Sequence, residues 1–203
     1  MALNIYIARH GQNVDNVNGI LNAHRDLTLT DLGRRQALDL AKSIVEVNLS
    51  FDVIYTSPLI RAAETARIIA DELRIPNTHI IPELIERNFG VMTGKRVSDI
   101  EKLCAPNIIK AEIITYFLNP LGAETFPDLV ERGNRVLAII RQLHSTGNVL
   151  LVCHGDIGKM IYAAATGKDW KEVLTDFHFG NGDLIDINPE YEACTIQLPQ
   201  YNH

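Results

Sequence analysis

Two apolar segments of this sequence end in the same dipeptide, His-Gly, and this repeat limits the possible folds more than any other feature. Residues 3–7 alternate apolar and polar side chains, as in a half-buried strand, and Arg9-His10-Gly11 follows. The second segment, Val149 to Cys153, is followed by His154-Gly155. Because open α/β sheets bind ligands at the edge where their strands end, we expect both dipeptides at such an edge.

The rest of the chain alternates between helical and strand-like spacing of its apolar residues. Apolar residues have helical spacing in three stretches, which begin after Thr30, begin after Pro58 and run from Pro127 to His144. They have strand-like spacing in Val53 to Thr56, Leu184 to Ile187 and Cys194 to Leu198. Strands and helices in alternation favour right-handed parallel crossovers. We therefore predict an α/β fold, a three-layer α/β/α sandwich whose mostly parallel central sheet is mixed at one edge.

Length and composition predict one globular domain. A chain of 203 residues, 46% hydrophobic and 22% charged, can bury one sizeable core, so residues 1–203 are expected to form a single domain. Residues 97–126 are the least periodic part of it. Since long excursions between core elements commonly cover functional sites, we interpret this segment as a lid-like insertion that selects the ligand.

The charge balance argues against several classes of partner. A net charge of -6 offers no basic surface for nucleic acid or for an anionic membrane. No stretch approaches the roughly 20 apolar residues that span a bilayer, and the first eight residues are too short and too polar for a signal peptide. We therefore expect a cytoplasmic protein whose anionic ligand is attracted by a local cluster of Arg and His. A homodimer is left open.

Neither the cysteines nor the histidines have the spacing of a metal site. Cys104, Cys153 and Cys194 lie far apart, which favours reduced thiols over disulfides or a zinc site. The histidines show neither His-x-His nor His-Glu-x-x-His spacing, so we expect no metal and no cofactor. Cys153 precedes a His-Gly pair as a thiol-phosphatase nucleophile does. However, Lys159 stands where that loop needs Arg, and Cys153 is expected to face the core.

Two arginines and a histidine are placed to bind a phosphoryl group. A guanidinium at Arg9, an imidazole at His10 and then a glycine suit an oxyanion that is held by fixed donors while a nucleophile approaches. Arg61 lies in the first turn of the helix after Ser57-Pro58, where backbone N–H groups are also free. Near neutral pH His10 can present an unprotonated ring nitrogen to phosphorus, with its other N–H bound to a backbone carbonyl. The alternative is a surface turn with incidental charges.

Six ordered pieces of sequence, spread over nearly the whole chain, match one family pattern. They are Arg9-His10-Gly11 with Asn16, Asp26 to Gly33 with Gln36-Ala37, Ser57 to Ala66, Glu86 to Gly90, Gly122 to Thr125, and His154-Gly155. In these pieces the chain resembles the histidine phosphatase superfamily, which holds cofactor-dependent phosphoglycerate mutases, fructose-2,6-bisphosphatase-type enzymes and acid phosphatases. The resemblance implies the phosphoglycerate mutase-like fold.

The resemblance also implies catalytic roles. His10 would form a phosphohistidine intermediate. Arg9, Arg61 and His154 would share the charge of the phosphoryl transition state. Glu86 occupies the place of the acid in the family's Glu-x-x-x-Gly pattern and would protonate the leaving group.

Further residues are expected to help bind the substrate. Neutral donors would come from Asn16, Gln12 and the N–H of Gly155, and the secondary motif residues Glu124 and Thr125 are candidates for substrate contact. Glu83 is the competing choice for the general acid, three residues before Glu86. Asn181 is interpreted as a turn residue.

We therefore predict a metal-independent phosphomonoesterase that acts on small phosphorylated metabolites, with sugar phosphates as the favoured class. The alternatives are a phosphoglycerate mutase, a phosphoprotein phosphatase and a non-catalytic phosphate-binding module. Mutases of the family resemble one another in a cluster of Arg and Lys that binds the carboxylate and the second phosphate of the substrate. Residues 97–126 hold only Lys102 and Lys110 as cations, which favours the phosphatase over the mutase. The run Glu86 to Lys95 looks closer to fructose-2,6-bisphosphatase-like enzymes, and Lys95-Arg96 could bind a second anionic group.

Overall fold

The computed structural model describes residues 2–188 and the backbone of Thr195–Ile196. The strands are β1 (Leu3–Arg9), β2 (Val53–Thr56), β3 (Thr78–Ile80), β4 (Ile108–Lys110), β5 (Thr115–Phe117), β6 (Gly147–Cys153), β7 (Leu184–Asp186) and β8 (Thr195–Ile196). Six of them form one sheet in the order β3-β2-β6-β1-β7-β8, and β4 and β5 form a separate two-stranded sheet.

The central sheet is parallel from β3 to β1 and mixed at its other edge. β3, β2, β6 and β1 run parallel, β7 is antiparallel to β1, and β8 is antiparallel to β7. The mostly parallel sheet with one mixed edge is therefore confirmed. Of the predicted strand Cys194 to Leu198, only Thr195–Ile196 lies within the described residues.

Within the described residues, seven α-helices connect or flank these strands. They are α1 (Val14–Val17), α2 (Asp31–Glu46), α3 (Ile60–Leu73), α4 (Ile100–Cys104), α5 (Phe126–Leu143), α6 (Gly155–Thr166) and α7 (Trp170–Asp176), with short 3-10 turns at Pro82–Leu84, Gly90–Met92 and Val97–Asp99. In the part of the chain that the structure describes, none of the helices is long and apolar enough to cross a membrane.

Side-chain caps determine where two of the predicted helices begin. The hydroxyl of Thr30 accepts from the N–H of Gly33 at the start of α2, as its N-cap position predicts. The start of α3 is two residues later than the predicted start at Pro58. Asp26 Oδ1 accepts from the N–H of Ile60 at 2.7 Å, so the loop before α2 supplies the anion that caps α3.

Two apolar cores lie on opposite faces of the central sheet. The core under α2 and α3 includes Leu40, Ile44, Ala66, Ile69, Leu150 and Val152. The core under α5, α6 and α7 includes Leu129, Val136, Ile140, Val149, Leu151 and Ile161. Successive residues of β6 thus point into different cores, which explains why this central strand is continuously apolar in sequence. The predicted three-layer α/β/α sandwich is confirmed.

The loop after β1 passes so close to the start of α2 that neither has room for a side chain. A Cβ atom on Gly11 would lie 2.2 Å from the carbonyl oxygen of Gly33, and one on Gly33 would lie 2.0 Å from that of Gln12. The N–H of Thr30 also donates to the carbonyl of Gln12 at 2.9 Å. This contact holds the residues directly after His10 against α2.

Replacing Gly11 by Ala should therefore destabilise the protein, because the new methyl group meets backbone atoms that cannot rotate away. We expect the free energy of unfolding, measured by urea denaturation, to fall by about 3 kcal/mol. The control is Gly155→Ala, whose Cβ would lie 3.6 Å or more from the guanidinium group of Arg9. It should stay within about 1 kcal/mol of the unsubstituted protein. Equal losses in the two variants would contradict the close-contact explanation.

Candidate active site

A cavity of about 230 Å³ opens at the carboxyl ends of the central strands. In the parallel pair of β1 and β6, Arg9 lies opposite Cys153, so Arg9-His10 and His154-Gly155 leave the sheet side by side. Polar side chains in the lining of the cavity include Arg9, His10, Asn16, Arg61, Glu86 and Asp156. The cavity is thus at the sheet edge where the two His-Gly dipeptides predict a ligand.

His10 is almost completely buried, and a neighbouring carbonyl determines its tautomer. Nδ1 lies 2.7 Å from the carbonyl oxygen of Gly11, so this nitrogen carries the proton and donates it. Nε2 is then unprotonated and accepts from Nε of Arg61 at 3.1 Å. Burial, together with the charges of Arg61 and Arg9, holds the pKa of His10 well below its ordinary value of 6.5. At neutral pH Nε2 therefore has the lone pair that a nucleophile requires.

Arg61 is fully buried, and all three of its guanidinium nitrogens donate hydrogen bonds. Besides the bond from Nε to His10, Nη1 donates to the carbonyl of Arg25 at 2.7 Å and Nη2 to that of Ala23 at 2.9 Å. Burial lowers the pKa of Arg61 to about 10, which leaves the guanidinium charged at neutral pH. The site thus contains a fixed positive charge beside Nε2 of His10.

Arg9 keeps N–H donors, among them that of Nε, for a ligand. Its Nη1 donates to the carbonyl of Phe179 at 2.6 Å, whereas its buried Nε has no hydrogen-bond partner among the residues that the structure describes. Gly155, the first residue of α6, lies against the same guanidinium. Because the N–H groups of a first helical turn have no acceptor within the helix, Nε of Arg9 and the N–H of Gly155 are adjacent donors suited to an anion.

His154 lies beside His10, and in the described structure it is not among the cavity-lining residues. The two ring centroids are 5.0 Å apart, and Nε2 of His154 lies 2.7 Å from Oγ of Ser57. Its buried Nδ1 has no hydrogen-bond partner within residues 2–188. Burial and the charge of Arg61 hold the pKa of His154 well below 6.5. A neutral ring in this position can act as a hydrogen-bond donor or acceptor, but not as a cation.

Glu86 lies against the N-terminus of α6. Oε1 accepts from the N–H groups of Arg87 at 2.8 Å and Ile157 at 3.2 Å, and Oε2 accepts from that of Asp156 at 3.4 Å. The residue is 7% exposed and lines the cavity. In the described part of the chain, Glu83 does not line this cavity. Of the two candidate acids, the structure therefore brings Glu86 to the site.

A second carboxyl group, that of Asp156, also lines the cavity and was not predicted from the sequence motifs. Burial, and next the negative charge of Glu86, raises the pKa of Asp156 to about 6. Nη1 of Arg87 lies 3.4 Å from Oδ2 of Asp156 and opposes this rise. The carboxyl group of Asp156 therefore still holds its proton in part at pH 6.

Asn16 lines the cavity with its oxygen already bound to the protein. Oδ1 accepts from the N–H of Asn13 at 3.1 Å and from Nδ2 of Asn181 at 3.3 Å. The amide NH₂ of Asn16 is thus the group oriented to donate to a ligand. Asn181, interpreted as a turn residue, has a further contact, because its Nδ2 also donates to the carbonyl of His10 at 3.0 Å.

Gln12 does not reach the cavity, in contrast to its predicted role as a phosphate donor. Its Oε1 accepts from the hydroxyl of Thr30 at 3.0 Å, and the residue is missing from the cavity lining of the described structure. The close contact between Gly11 and Gly33 explains this orientation, because it holds Gln12 against the start of α2. Gln12 therefore supports the loop rather than the ligand.

The secondary motif also has a structural role. The carboxylate of Glu124 pairs with Arg132 at 2.7 Å, and Thr125 caps α5 by accepting from the N–H of Asp128. Neither motif residue lines the cavity of the described structure, and neither do Lys95 and Arg96, which are exposed. The predicted contacts of these residues with substrate are thus not supported by their positions.

Two buried cations of the cavity wall were missed. Arg87 directly follows Glu86, and Lys159 lies one turn after Gly155 in α6, so in both cases the signal was a cation next to a motif residue. Burial lowers the pKa of Lys159 to about 8. Neither position could be assigned to the cavity without knowing which side of its element faces inward.

Cys153 faces the core, as predicted. It belongs to the core under α5, α6 and α7, and burial raises the pKa of its thiol. A buried neutral thiol is not the nucleophile of this site.

Segment 97–126 contributes one wall of the cavity. It contains the hairpin of β4 and β5, and the consecutive residues Ile113, Ile114, Thr115, Tyr116 and Phe117 line the cavity. The side of the hairpin next to α4 packs in a small core with Phe89, Met92 and Ile100. The segment thus combines packing with contact to the site.

Comparisons with known proteins agree with this geometry. The protein-family model described as Histidine phosphatase superfamily (branch 1) matches residues 5–202. The adenosylcobalamin/alpha-ribazole phosphatase of Escherichia coli (strain K12) is 28% identical over 196 residues, which cover 96% of this chain and 95% of the relative. The 2,3-bisphosphoglycerate-dependent phosphoglycerate mutase of Bartonella henselae is 27% identical over 182 residues, 86% of this chain and 87% of the mutase.

A solved structure is similar over almost the same extent. The alpha-ribazole phosphatase from Shigella flexneri superposes with a TM-score of 0.73 at 28% identity, over 93% of this chain and 92% of that one. The relatives thus include both hydrolases and a mutase, and similarity alone does not choose between these two reactions.

The lowered pKa values of the two active-site histidines lead to a pH prediction. Both rings should remain neutral as the pH falls through 6.5, whereas in the unfolded chain they take up protons there. The stability that they contribute is thus present above pH 6.5 and is lost as the pH falls toward their folded-state values. Ring ¹⁵N chemical shifts of His10 and His154, assigned with single His→Gln variants, would measure this. An imidazolium shift for either ring at pH 6.5 would contradict it.

Proposed function

The chain belongs to the histidine phosphatase superfamily, and on that premise we propose that it hydrolyses phosphate monoesters of small metabolites through a phosphohistidine on His10. One observation carries the proposal. Nε2 of His10 is unprotonated at neutral pH because Nδ1 holds the proton and donates it to the carbonyl of Gly11, and Nε2 lies in a cavity where it accepts from the guanidinium of Arg61. A nucleophile and a fixed cation are thus adjacent before substrate binds.

In the first step, Nε2 of His10 attacks phosphorus and the bond from phosphorus to the alcohol oxygen breaks. The leaving oxygen takes a proton from the carboxyl group of Glu86. In the second step, water gives a proton back to Glu86, attacks the phosphohistidine and releases inorganic phosphate, which restores His10. Asp156, whose pKa is raised to about 6, is a second carboxyl group of the cavity that can hold a proton.

Neighbouring groups stabilise the transferring phosphoryl group. Nε of Arg9 and the N–H of Gly155 are proposed to bind its equatorial oxygens, together with the guanidinium of Arg61 and the amide of Asn16. His154 acts from beside His10 as a neutral hydrogen-bonding group. The hydrogen bond from Nε of Arg61 to Nε2 of His10 has to break when phosphorus approaches. The N–H of Arg61 then donates to a phosphoryl oxygen.

The contacts of the two lysines in segment 97–126 favour hydrolysis over the mutase alternative. Lys110 pairs with Glu101 at 2.8 Å on the surface, and neither Lys110 nor Lys102 lines the cavity of the described structure. The mutases of the family share a cluster of Arg and Lys. Segment 97–126 does not bring such a cluster to the cavity of the described structure. A phosphoprotein phosphatase is also disfavoured, because the hairpin forms a wall of the cavity where an open cleft would be needed.

Other expectations from the sequence stay predictions. The preference for sugar phosphates and the closeness to fructose-2,6-bisphosphatase-type enzymes rested on the run Glu86 to Lys95. Lys95 and Arg96, the expected partners of a second anionic group, do not line the cavity of the described structure. Metal independence is supported by the positive charge that Arg9 and Arg61 supply. The cytoplasmic location, the lack of nucleic-acid and membrane partners, and the open question of a homodimer are unchanged.

Rapid denaturation during turnover of a ³²P-labelled monoester, with EDTA present throughout, should trap phosphate on His10. The label should be stable to base and labile to acid, as a phosphoramidate is, and His10→Ala should abolish it. His79→Ala is the matched control, because His79 is an exposed histidine on β3, and it should leave the label unchanged. Label on another residue, or a requirement for a divalent cation, would contradict the proposed mechanism.

Hydrolysis should also dominate over isomerisation. With 2,3-bisphosphoglycerate present, ³¹P NMR should show release of inorganic phosphate and little interconversion of 2- and 3-phosphoglycerate, because no cation cluster retains a second phosphate. Fast isomerisation primed by the bisphosphate, with negligible phosphate release, would establish the mutase alternative.

A further inference from the structure

The walls of the cavity differ in chemistry from its phosphate-binding base. We propose that the alcohol part of the substrate is bulky, apolar and uncharged, and that the transferred phosphate is the only anionic group of the substrate. This inference rests on the proposed hydrolysis and adds the class of leaving group, for which the sequence favoured sugars.

Apolar side chains from four parts of the chain form the walls. They include Ile20, Phe89, Ile113, Ile114, Phe117 and Phe179. Ile20 follows α1, Phe89 follows the general acid, the next three belong to segment 97–126, and Phe179 precedes β7. A sugar placed against such walls would lose water from its hydroxyl groups without gaining partners, whereas an apolar group would lose only unfavourable hydration.

The missed cations of the wall are already satisfied by the protein. Nζ of Lys159, which has three protons, donates to the carbonyls of Val173, Leu174 and Phe177. This ammonium group thus has no proton left for a second phosphate or a carboxylate of the substrate.

Arg87 is engaged in a similar way. Nε donates to the carbonyl of Glu124 and Nη2 to that of Leu118, each at 2.7 Å, and Nη1 faces Asp156 at 3.4 Å. Its guanidinium carbon also lies 4.1 Å from the ring centroid of Phe126. The carboxyl group of Asp156 beside it would repel a second anion.

The polar side chains of the wall offer few partners for hydroxyl groups. Asn22 is paired with Asn13, because Nδ2 of Asn22 donates to Oδ1 of Asn13 at 3.1 Å. The hairpin brings two uncharged side chains with hydrogen-bonding groups to the cavity, those of Thr115 and Tyr116. A ring with several hydroxyl groups would need more donors and acceptors than these.

Apolar surface also continues at the mouth of the cavity. Ile113 is 66% exposed and Val97 47% exposed, and both line the cavity. Its volume of about 230 Å³ is below the roughly 300–1,000 Å³ of typical drug-sized ligand pockets. A leaving group larger than one ring would therefore extend past these two side chains and cover them.

A matched pair of substrates tests the inference. Cyclohexylmethyl phosphate and glucose 6-phosphate are both monoesters of a primary alcohol on a six-membered ring, and they differ chiefly in the oxygen content of the ring. We expect kcat/KM for cyclohexylmethyl phosphate to be at least about tenfold higher. In the series ethyl, butyl and hexyl phosphate, kcat/KM should rise by up to about fourfold per methylene group until the chain passes the cavity mouth.

A pair of variants tests whether the cavity wall causes this preference. Ile113→Asn places an amide on the wall and should reduce the ratio of the two kcat/KM values by about fivefold or more. Ile80→Asn is the control, since Ile80 is a similarly exposed isoleucine, 60% against 66%, on strand β3. It should leave the ratio unchanged.

The outcomes separate the inference from the proposed function. Phosphate release with glucose 6-phosphate preferred, or with equal values, would overturn the apolar leaving group and leave the phosphatase reaction intact. An unchanged ratio in Ile113→Asn would also overturn it. No release from any monoester, together with no labelled His10, would overturn the proposed function and the inference with it.

Discussion

The hydrogen bonds of one buried cation hold this site together. The guanidinium of Arg61 joins the imidazole after β1 to the carbonyls of Ala23 and Arg25, and its own backbone belongs to α3. A buried charge without partners is very unfavourable, so the loop before α2 cannot move away without leaving donors unsatisfied. The position of the nucleophile therefore depends on a charge whose hydrogen bonds go to backbone oxygens and an imidazole, while the carboxylates of Glu86 and Asp26 stabilise it without a hydrogen bond.

This choice of partners shapes the electrostatics of the empty cavity. Carbonyl groups satisfy the donors of Arg61 without neutralising its charge, and burial keeps His10 and His154 uncharged. The net positive charge at the base is thus available to a phosphoryl group, in surroundings of low polarity where each interaction is stronger than in water. The carboxyl groups of Glu86 and Asp156 both lie at the N-terminus of α6, where the proposed reaction needs a proton for the leaving group.

How much of this could be predicted from sequence depended on distance along the chain. The layers of the fold followed from strand and helix spacing, and the placement of Arg9, His10 and Arg61 at one sheet edge followed from motif residues close to predicted strands. Glu86 was assigned from the resemblance to the family. Gln12 was assigned to the ligand incorrectly, because its direction is determined by contact with α2, about 20 residues later. Arg87 was missed for a similar reason, since its partners come from residues 118, 124 and 156. The strands of the hairpin, three residues each, are too short for a period to be recognised.

The hairpin of β4 and β5 forms its own two-stranded sheet, and it packs in two places: Phe117 in a small core beside α4, and Tyr116 in the core under α5, α6 and α7. The phosphate-binding base of the cavity is built on the central sheet and on α3 and α6. The hairpin wall is therefore anchored in the same apolar core that carries α6. A hairpin of different length or polarity would retune the enzyme without disturbing that core only if it still filled the place of Tyr116.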